Sequence, residues 1–446
     1  NQDKLNDLLA QINSENEVPR KEALPRLDLE LLTSSLDEFE AQKKTGIDTI
    51  KESLSTTELS SKQSENITNI FDDVKNDREE RDKNLQKAQS EIKDMYRQVA
   101  HFQEKGESPH KQNIDIIKKT FLNKLHNGES IADQDWACID LRGVNLQGLD
   151  FTNAYLEQVN FSGCNLSNTT FKGAILTRAN LTKSDCSNAN FEESNLGAVE
   201  AFNANFGQAN FDNAKLSKSN FSGSSFIGAN LENTETLDFV IDNCDFTNAN
   251  LDQMKCIDLS VSNAKFNSAN LTSSAMMRCE FNQCEFKKTS MNRCTWAETS
   301  INDCNFENAS MLSNCWAVTE PEKTMLNRVI FDGAYLEKSN FQNLILNDAS
   351  FISANLVNAN CNSATLKNSN FTRALLTQCQ FRGADLQYAV FDNANLMEGS
   401  LSKALIQYAT FINANLFGVD FLRAKVHQTD FTDANLEVTL LKDWRP

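Results

Sequence analysis

Four histidines, five prolines and no CxxC pair are spread over 446 residues. With so few imidazoles, and those at positions 101, 110, 126 and 427, the ligand spacing of a zinc site is missing. No apolar run approaches the roughly 20 residues that a membrane helix requires, so no membrane partner is expected. A secretory signal pattern is also absent. The chain begins at Asn1 rather than Met, and it is expected to be a fragment or a processed product. HExxH, GxSxG and phosphate-loop motifs are all missing. Catalysis needs acid, base or nucleophile groups converging in a pocket, so the sequence predicts no enzyme, no catalytic residue and no cofactor. Positive charge is scarce too: 43 Lys and Arg face 61 Asp and Glu, a net charge of −18. Without a basic stripe the phosphate neutralisation that drives nucleic-acid binding is lacking, and no nucleic-acid partner is expected. The thinly spread acidity reads as a solubility device.

What the sequence has in abundance is a period of five. Positions ending in 1 or 6 carry Leu141, Leu146, Phe151, Leu156, Phe161 and Leu166, and the count continues to Phe411, Leu416, Phe421, Val426, Phe431 and Leu436. Two places before each stands a smaller residue, such as Ala154, Ala174, Ala179, Ala204 or Ala209. A period of five fits neither an α-helix nor a flat strand. It predicts a coil that turns a corner every five residues and hides two side chains per side. Asn, Asp, Ser and Gly fill the outward places, where their local hydrogen bonding suits tight turns. Four such sides give a coil of about 20 residues. Stacked at ~4.8 Å, about fifteen coils make a rod of roughly 70 Å.

Twelve cysteines raise the question of disulfides. Seven of them (Cys164, Cys244, Cys279, Cys284, Cys294, Cys304 and Cys379) occupy the small-residue place, and Cys186, Cys256 and Cys361 the large one. Free Cys behaves as a small buried hydrophobe. The expectation is reduced core thiols in a reducing compartment, the cytoplasm. Cys284 and Cys304, one coil apart, nevertheless fall within bridging range.

The first 108 residues differ in kind, being rich in Lys, Glu, Asp and Gln with apolar residues three and four apart. Residues 1–135 hold 28 acidic and 20 basic side chains. Leu85, Ala88, Ile92, Met95, Val99 and Phe102 form an a/d seam of about two and a half heptads. So short a seam needs a second helix, either within this chain or in a partner. Residues 109–138 form a capping helix and linker: Pro109 follows Ser108 as at a helix start, and Gly128 ends the helix. Such a cap blocks end-to-end pairing of open coil edges. The repeats then occupy 139–441.

The pattern slips at Ala201, Thr236 and Phe239. From Met276 to Trp316 the large residues become Met276, Met291, Trp296, Met311 and Trp316. Residues 317–330, with Pro321 among Glu320, Glu322 and Lys323, lose the pattern and read as a loop replacing part of a coil. Function concentrates on loops carried by rigid scaffolds. Leu85, Ile92, Met95, Val99, Phe102, Trp316 and Pro321 are therefore the candidate partner-binding residues.

Segments such as Ala154-Tyr-Leu156, Ala179-Asn-Leu181, Ala209-Asn-Phe211 and Ala414-Asn-Leu416 resemble the A(D/N)LXX signature of the pentapeptide-repeat family. That resemblance implies a right-handed quadrilateral β-helix, mainly β, preceded here by an α-helical region. The junction, Tyr96-Arg-Gln-Val-Ala-His101, then Gly128-Glu-Ser-Ile-Ala-Asp133 and Leu141-Arg-Gly-Val-Asn-Leu146, is similar to bacterial type VI secretion accessory proteins. It implies a non-enzymatic protein-binding scaffold, an adaptor or chaperone that loads effectors onto the secretion spike in the bacterial cytoplasm. Two alternatives rest on the family resemblance: a DNA mimic that binds gyrase, and a secreted host-directed effector built on a repeat scaffold.

Overall fold

The computed structural model describes residues 83–84, 87–88, 90–102, 111–317 and 325–441. The chain divides into two compact units, 1–108 and 109–446. In the first, residues 90–99 are helical and a short 3₁₀ turn, Ala100–Phe102, follows. Leu85 and the apolar spacings at 47–74 lie outside the described residues.

The second unit opens with helix α1 (Lys111–Asn127). Its end is fixed by Gly128, whose φ of 67° is left-handed. The Gly128 N–H donates to the Leu125 carbonyl (3.3 Å) and the Glu129 N–H to the Lys124 carbonyl (2.9 Å). This is a Schellman cap, and a side chain at 128 would meet the left-handed penalty. The helix turns Phe121 inward, stacked on Phe151 with ring centroids 6.0 Å apart and set edge-on to Trp136 at 5.1 Å.

From Asp135 onward the chain winds as a right-handed quadrilateral β-helix. Outward residues pair in parallel with those 20 positions later, as in Asp135 with Tyr155 and Asn160 with Asn180. Most corners are type II-like turns. Their closing N–H donates three residues back, as from Ala154 to the Phe151 carbonyl (3.0 Å). The third corner residue has φ between 47° and 75° from Asp133 to Val438. Such a turn needs positive φ there and favours Asn and Gly, which explains why those residues recur two places after each large one. Flanking ladder bonds, such as Leu141 N–H to Asn160 carbonyl (2.9 Å), tie each coil to the next.

The interior is filled. Among the described residues, large and small positions alike are buried from Phe151 to Phe421, and Val144 and Leu149 near the first coil are half-buried. Phenylalanines stack down the axis in long ladders, for example Phe351, Phe371, Phe391 and Phe411, whose successive centroids lie 4.7 Å apart. Parallel rings at this spacing add roughly 0.5–1.5 kcal/mol each beyond area burial. Extended strands β1–β9 (β1, Glu235–Leu237; β2, Lys255–Ile257; β3, Ser260–Ser262; β4, Ala275–Met277; β5, Glu280–Asn282; β6, Thr295–Ala297; β7, Ser300–Asn302; β8, Cys315–Ala317; β9, Leu326–Asn327) are confined to 235–327. They form two parallel ladders, β1-β2-β4-β6-β8 and β3-β5-β7-β9.

At Cys279, Cys284 and Cys294 the corner N–H donates to a side chain of the next coil instead of to its own turn. The acceptors are Thr299 Oγ1 (3.3 Å), Cys304 Sγ (3.3 Å) and Asn314 Oδ1 (2.9 Å).

After Ala317 the register changes. Ile301 pairs with Leu326, Asn305 with Ile330 and Cys315 with Asn340, all 25 apart, before the spacing of 20 resumes at Met325 with Ile345. The segment that breaks the pattern thus adds five residues to one coil. It does not substitute for part of a coil, as the sequence reading supposed. Residues 318–324, Pro321 included, lie outside the described residues.

Candidate partner-binding surface

Because the coil is packed with its own side chains, chemistry offered to another molecule sits on outward rows, corners and ends. An interior void of about 10 Å³, lined by Ile241, Phe246, Met254, Cys256 and Phe281 among others, is apolar and the size of one water. Among the described residues no group of three or more His, Cys, Asp or Glu is placed to hold a metal ion. No described helix is long and apolar enough to cross a membrane.

Of the residues singled out from sequence, Leu85 and Pro321 lie outside the described residues. Trp316 is 4% exposed and stacks on Trp296 at 4.9 Å, within the core rather than toward a partner. The large position of a repeat always points inward, and an indole there obeys the same rule. In the helical unit Met95 (61% exposed) and Phe102 (60%) face outward, while Ile92 and Val99 are half-buried. Phe102 also meets the His101 ring at 4.0 Å.

The Trp layer has a polar peculiarity. The indole N–H groups of Trp296 and Trp316 and the amide nitrogen of Asn314 are buried with no hydrogen-bond partner. Unmade donors of this kind cost about 1–3 kcal/mol each.

Hydroxyl and thiol side chains at small positions are well partnered. Cys164 donates to the Leu141 carbonyl (3.1 Å), Thr169 to Leu146 (2.9 Å), Ser219 to Leu196 (2.6 Å) and Cys294 to Leu271 (2.9 Å), each 23 residues back. The sequence reading treated these cysteines as fillers and missed their role as inter-coil donors. The signal was present in the choice of Ser, Thr or Cys over Ala. Burial pushes the thiols of Cys186, Cys244, Cys256 and Cys294 up to about 12, so they are protonated rather than nucleophilic, and Cys244 and Cys294 donate to the Phe221 and Leu271 carbonyls.

The outer surface changes character along the coil. Between 139 and 317 there are 20 acidic and 12 basic residues, and Ile227 alone is an exposed large apolar side chain among those described. Between 325 and 441 there are 10 acidic and 8 basic residues. There Tyr335, Leu375, Tyr388, Tyr408, Phe417 and Leu422 are exposed. Single exposed apolar residues are ordinary; here Tyr335 and Leu375 lie on one outward row two coils apart, Tyr388 and Tyr408 share a corner, and Phe417 and Leu422 stand at other corners. None of these positions was singled out from sequence, since burial sets no rule for outward places; at Tyr388 and Tyr408 the signal was the departure from the Asn and Gly that the corner favours.

Models of the pentapeptide repeat region match residues 154–237 and 324–398, and models of pentapeptide repeats match 133–163, 244–283 and 400–437. Among solved structures the chain is similar to HetL, a pentapeptide repeat protein involved in heterocyst differentiation regulation from the cyanobacterium Nostoc. Identity is 18% over 73% of this chain and 97% of that one, with a TM-score of 0.17. It is similar also to QnrB1, a plasmid-mediated fluoroquinolone resistance protein, at 15% identity over 51% and 84%, TM-score 0.22. A pentapeptide repeat protein of the Arabidopsis thaliana thylakoid lumen is 30% identical over 24% of this chain and 63% of that one, TM-score 0.10. No curated protein gives a significant match.

Proposed function

Since the chain belongs to the pentapeptide-repeat family, we propose that it is a non-enzymatic protein-binding scaffold whose contact surface lies on the coils of 325–441. The observation that carries this reading is the exposed set Tyr335, Leu375, Tyr388, Tyr408, Phe417 and Leu422, held on a filled, hydrogen-bonded frame. A frame ordered before binding spares the partner much of the ordering cost of association. The more specific role is that of an adaptor loading toxic effectors onto a bacterial type VI secretion spike. Its support is the junction resemblance at Tyr96–His101 and Gly128–Asp133.

Co-expression of the full chain with a spike protein and a toxic effector of a type VI secretion system, followed by affinity capture and size-exclusion, tests the role. A complex containing chain, spike and toxin is the expected result. Capture of neither would overturn the adaptor role.

A second reading, a DNA mimic acting on gyrase, is favoured by one feature. Glu192, Asp212, Glu232 and Asp252 occupy the same corner of four successive coils, a line of carboxylates at ~4.8 Å spacing. Inhibition of DNA supercoiling by the purified chain would favour this reading over the adaptor.

A further inference from the structure

The same two sides of three successive coils, 381–390, 401–410 and 421–430, bring cations and aromatics together. Ladder pairing aligns Asp385 with Leu405 and Lys425 on one outward row. One corner beside this row carries Arg382, Lys403 and Arg423, as the bonds Gly383 N–H to Ser402 carbonyl (2.8 Å) and Lys403 N–H to Leu422 carbonyl (2.8 Å) show. The opposite corner of the same face carries Tyr388 and Tyr408. Their rings stack at 4.8 Å with 4° between planes, and His427 stands edge-on to Tyr408 at 5.5 Å.

The four cations Arg382, Lys403, Arg423 and Lys425 are exposed and make no ion pair with the described residues, whereas Asp385 is taken by Lys367 at 3.2 Å. The two tyrosines are costly where they stand. Their φ values are 62° and 63°, the left-handed region in which a bulky side chain is disfavoured and Asn or Gly is the easy choice. The fold imposes this conformation on every described corner, as at Arg178, Lys183 and Val438, so it is the side chain chosen there that distinguishes this one.

Resting on the scaffold reading above, we propose that this face binds an acidic protein segment bearing an aromatic residue. Its carboxylates would meet the Arg382, Lys403, Arg423 and Lys425 corner, and its ring would lie against the Tyr388–Tyr408 pair. Arg recognises carboxylate through paired, planar hydrogen bonds and also lies well on aromatic faces. Four cations match a few carboxylates and fall short of the six to ten phosphate contacts of a typical nucleic-acid site. A protein segment is therefore the better fit.

Fluorescence anisotropy of the full chain tests the assignment. The probes are a short labelled peptide of Asp, Glu and Phe, the same peptide with Asn and Gln in place of its acids, and labelled oligodeoxythymidine. The acidic peptide is expected to bind tightest and to weaken with added salt. Arg382→Glu with Arg423→Glu should weaken it by roughly tenfold or more. Tyr388→Asn with Tyr408→Asn should weaken it by roughly tenfold while the melting temperature holds or rises, because Asn suits the left-handed corner. Equal binding of the neutral peptide, preference for oligodeoxythymidine, or unchanged affinity in both variants would overturn the site. Capture of spike and toxin by the charge-reversed variant would leave the scaffold role standing and move its contact elsewhere. Loss of both in the native chain removes both proposals.

Discussion

The coils of 139–317 and those of 325–441 follow one backbone rule and solve its small inward position differently. In the first stretch that place holds Cys164, Thr169, Ser184, Ser219, Cys244, Ser274, Cys284, Thr289, Cys294 and Thr299, several of which donate to a carbonyl 23 residues back. In the second it is mostly Ala: Ala349, Ala354, Ala359, Ala364, Ala374, Ala384, Ala389, Ala404, Ala409 and Ala414. One stretch keeps polar stitches inside and an acidic, nearly apolar-free surface outside. Its neighbour has a plainer interior and displays aromatics to solvent. Stability and recognition are thus separable in this fold. The inward rows set the first and the outward rows the second.

Alkali should divide the two stretches most strongly. Cys186, Cys244, Cys256 and Cys294, all in the first, have folded pKa values raised by burial to about 12 from an ordinary 9.0, whereas the second has one thiol raised in the same way, Cys379. The folded state therefore holds protons that the unfolded chain releases. The stability this gives is complete below pH 9 and is lost as pH climbs toward 12. Each thiol forfeits about 1.4 kcal/mol per pH unit in that window. Hydrogen exchange at pH 10 should show 180–300 opening before 340–420. Simultaneous opening would break the comparison.

Next in size is Phe391→Ala, which removes a ring stacked at 4.7 Å on both Phe371 and Phe411. A loss of about 3–5 kcal/mol is expected in denaturant unfolding. Protection should fall in the coils on either side and hold in 140–300, because a repeat array is coupled mainly to its neighbours.

The smallest effect concerns the stitches. Cys294→Ala deletes the thiol donor to Leu271 (2.9 Å) and should cost about 1 kcal/mol. Cys294→Ser should recover most of it. Ala384→Ser, the same change made in the plainer stretch, should move stability by less than about 0.5 kcal/mol. A loss for Cys294→Ser as large as for Cys294→Ala would show that sulfur volume, not the hydrogen bond, matters there.

The period of five revealed the coil because it constrains Leu141, Phe151 and every fifth residue after them by burial, the strongest force available to this chain. Burial also made Trp316 legible in principle. Its place in the count already pointed inward, and weighing it as an anomaly outvoted that count. The added five residues after Ala317 were hidden because an insertion equal to the period leaves the numbering pattern intact. The aromatic corner of Tyr388 and Tyr408 was hidden for the opposite reason: outward places obey no packing rule, and the one signal, Tyr where the corner favours Asn or Gly, shows no pairing until neighbouring coils are stacked.

The 25-residue coil has one more consequence. Because Ile301 meets Leu326 and Ser310 meets Tyr335, the five added residues are absorbed within a single coil, and every later side chain stays in line with the row beneath it. Removing five residues from that coil would restore the spacing of 20 and turn no later row to a different face. The length of one coil can therefore vary while the contact surface after Met325 keeps its alignment with the acidic coils before Ala317.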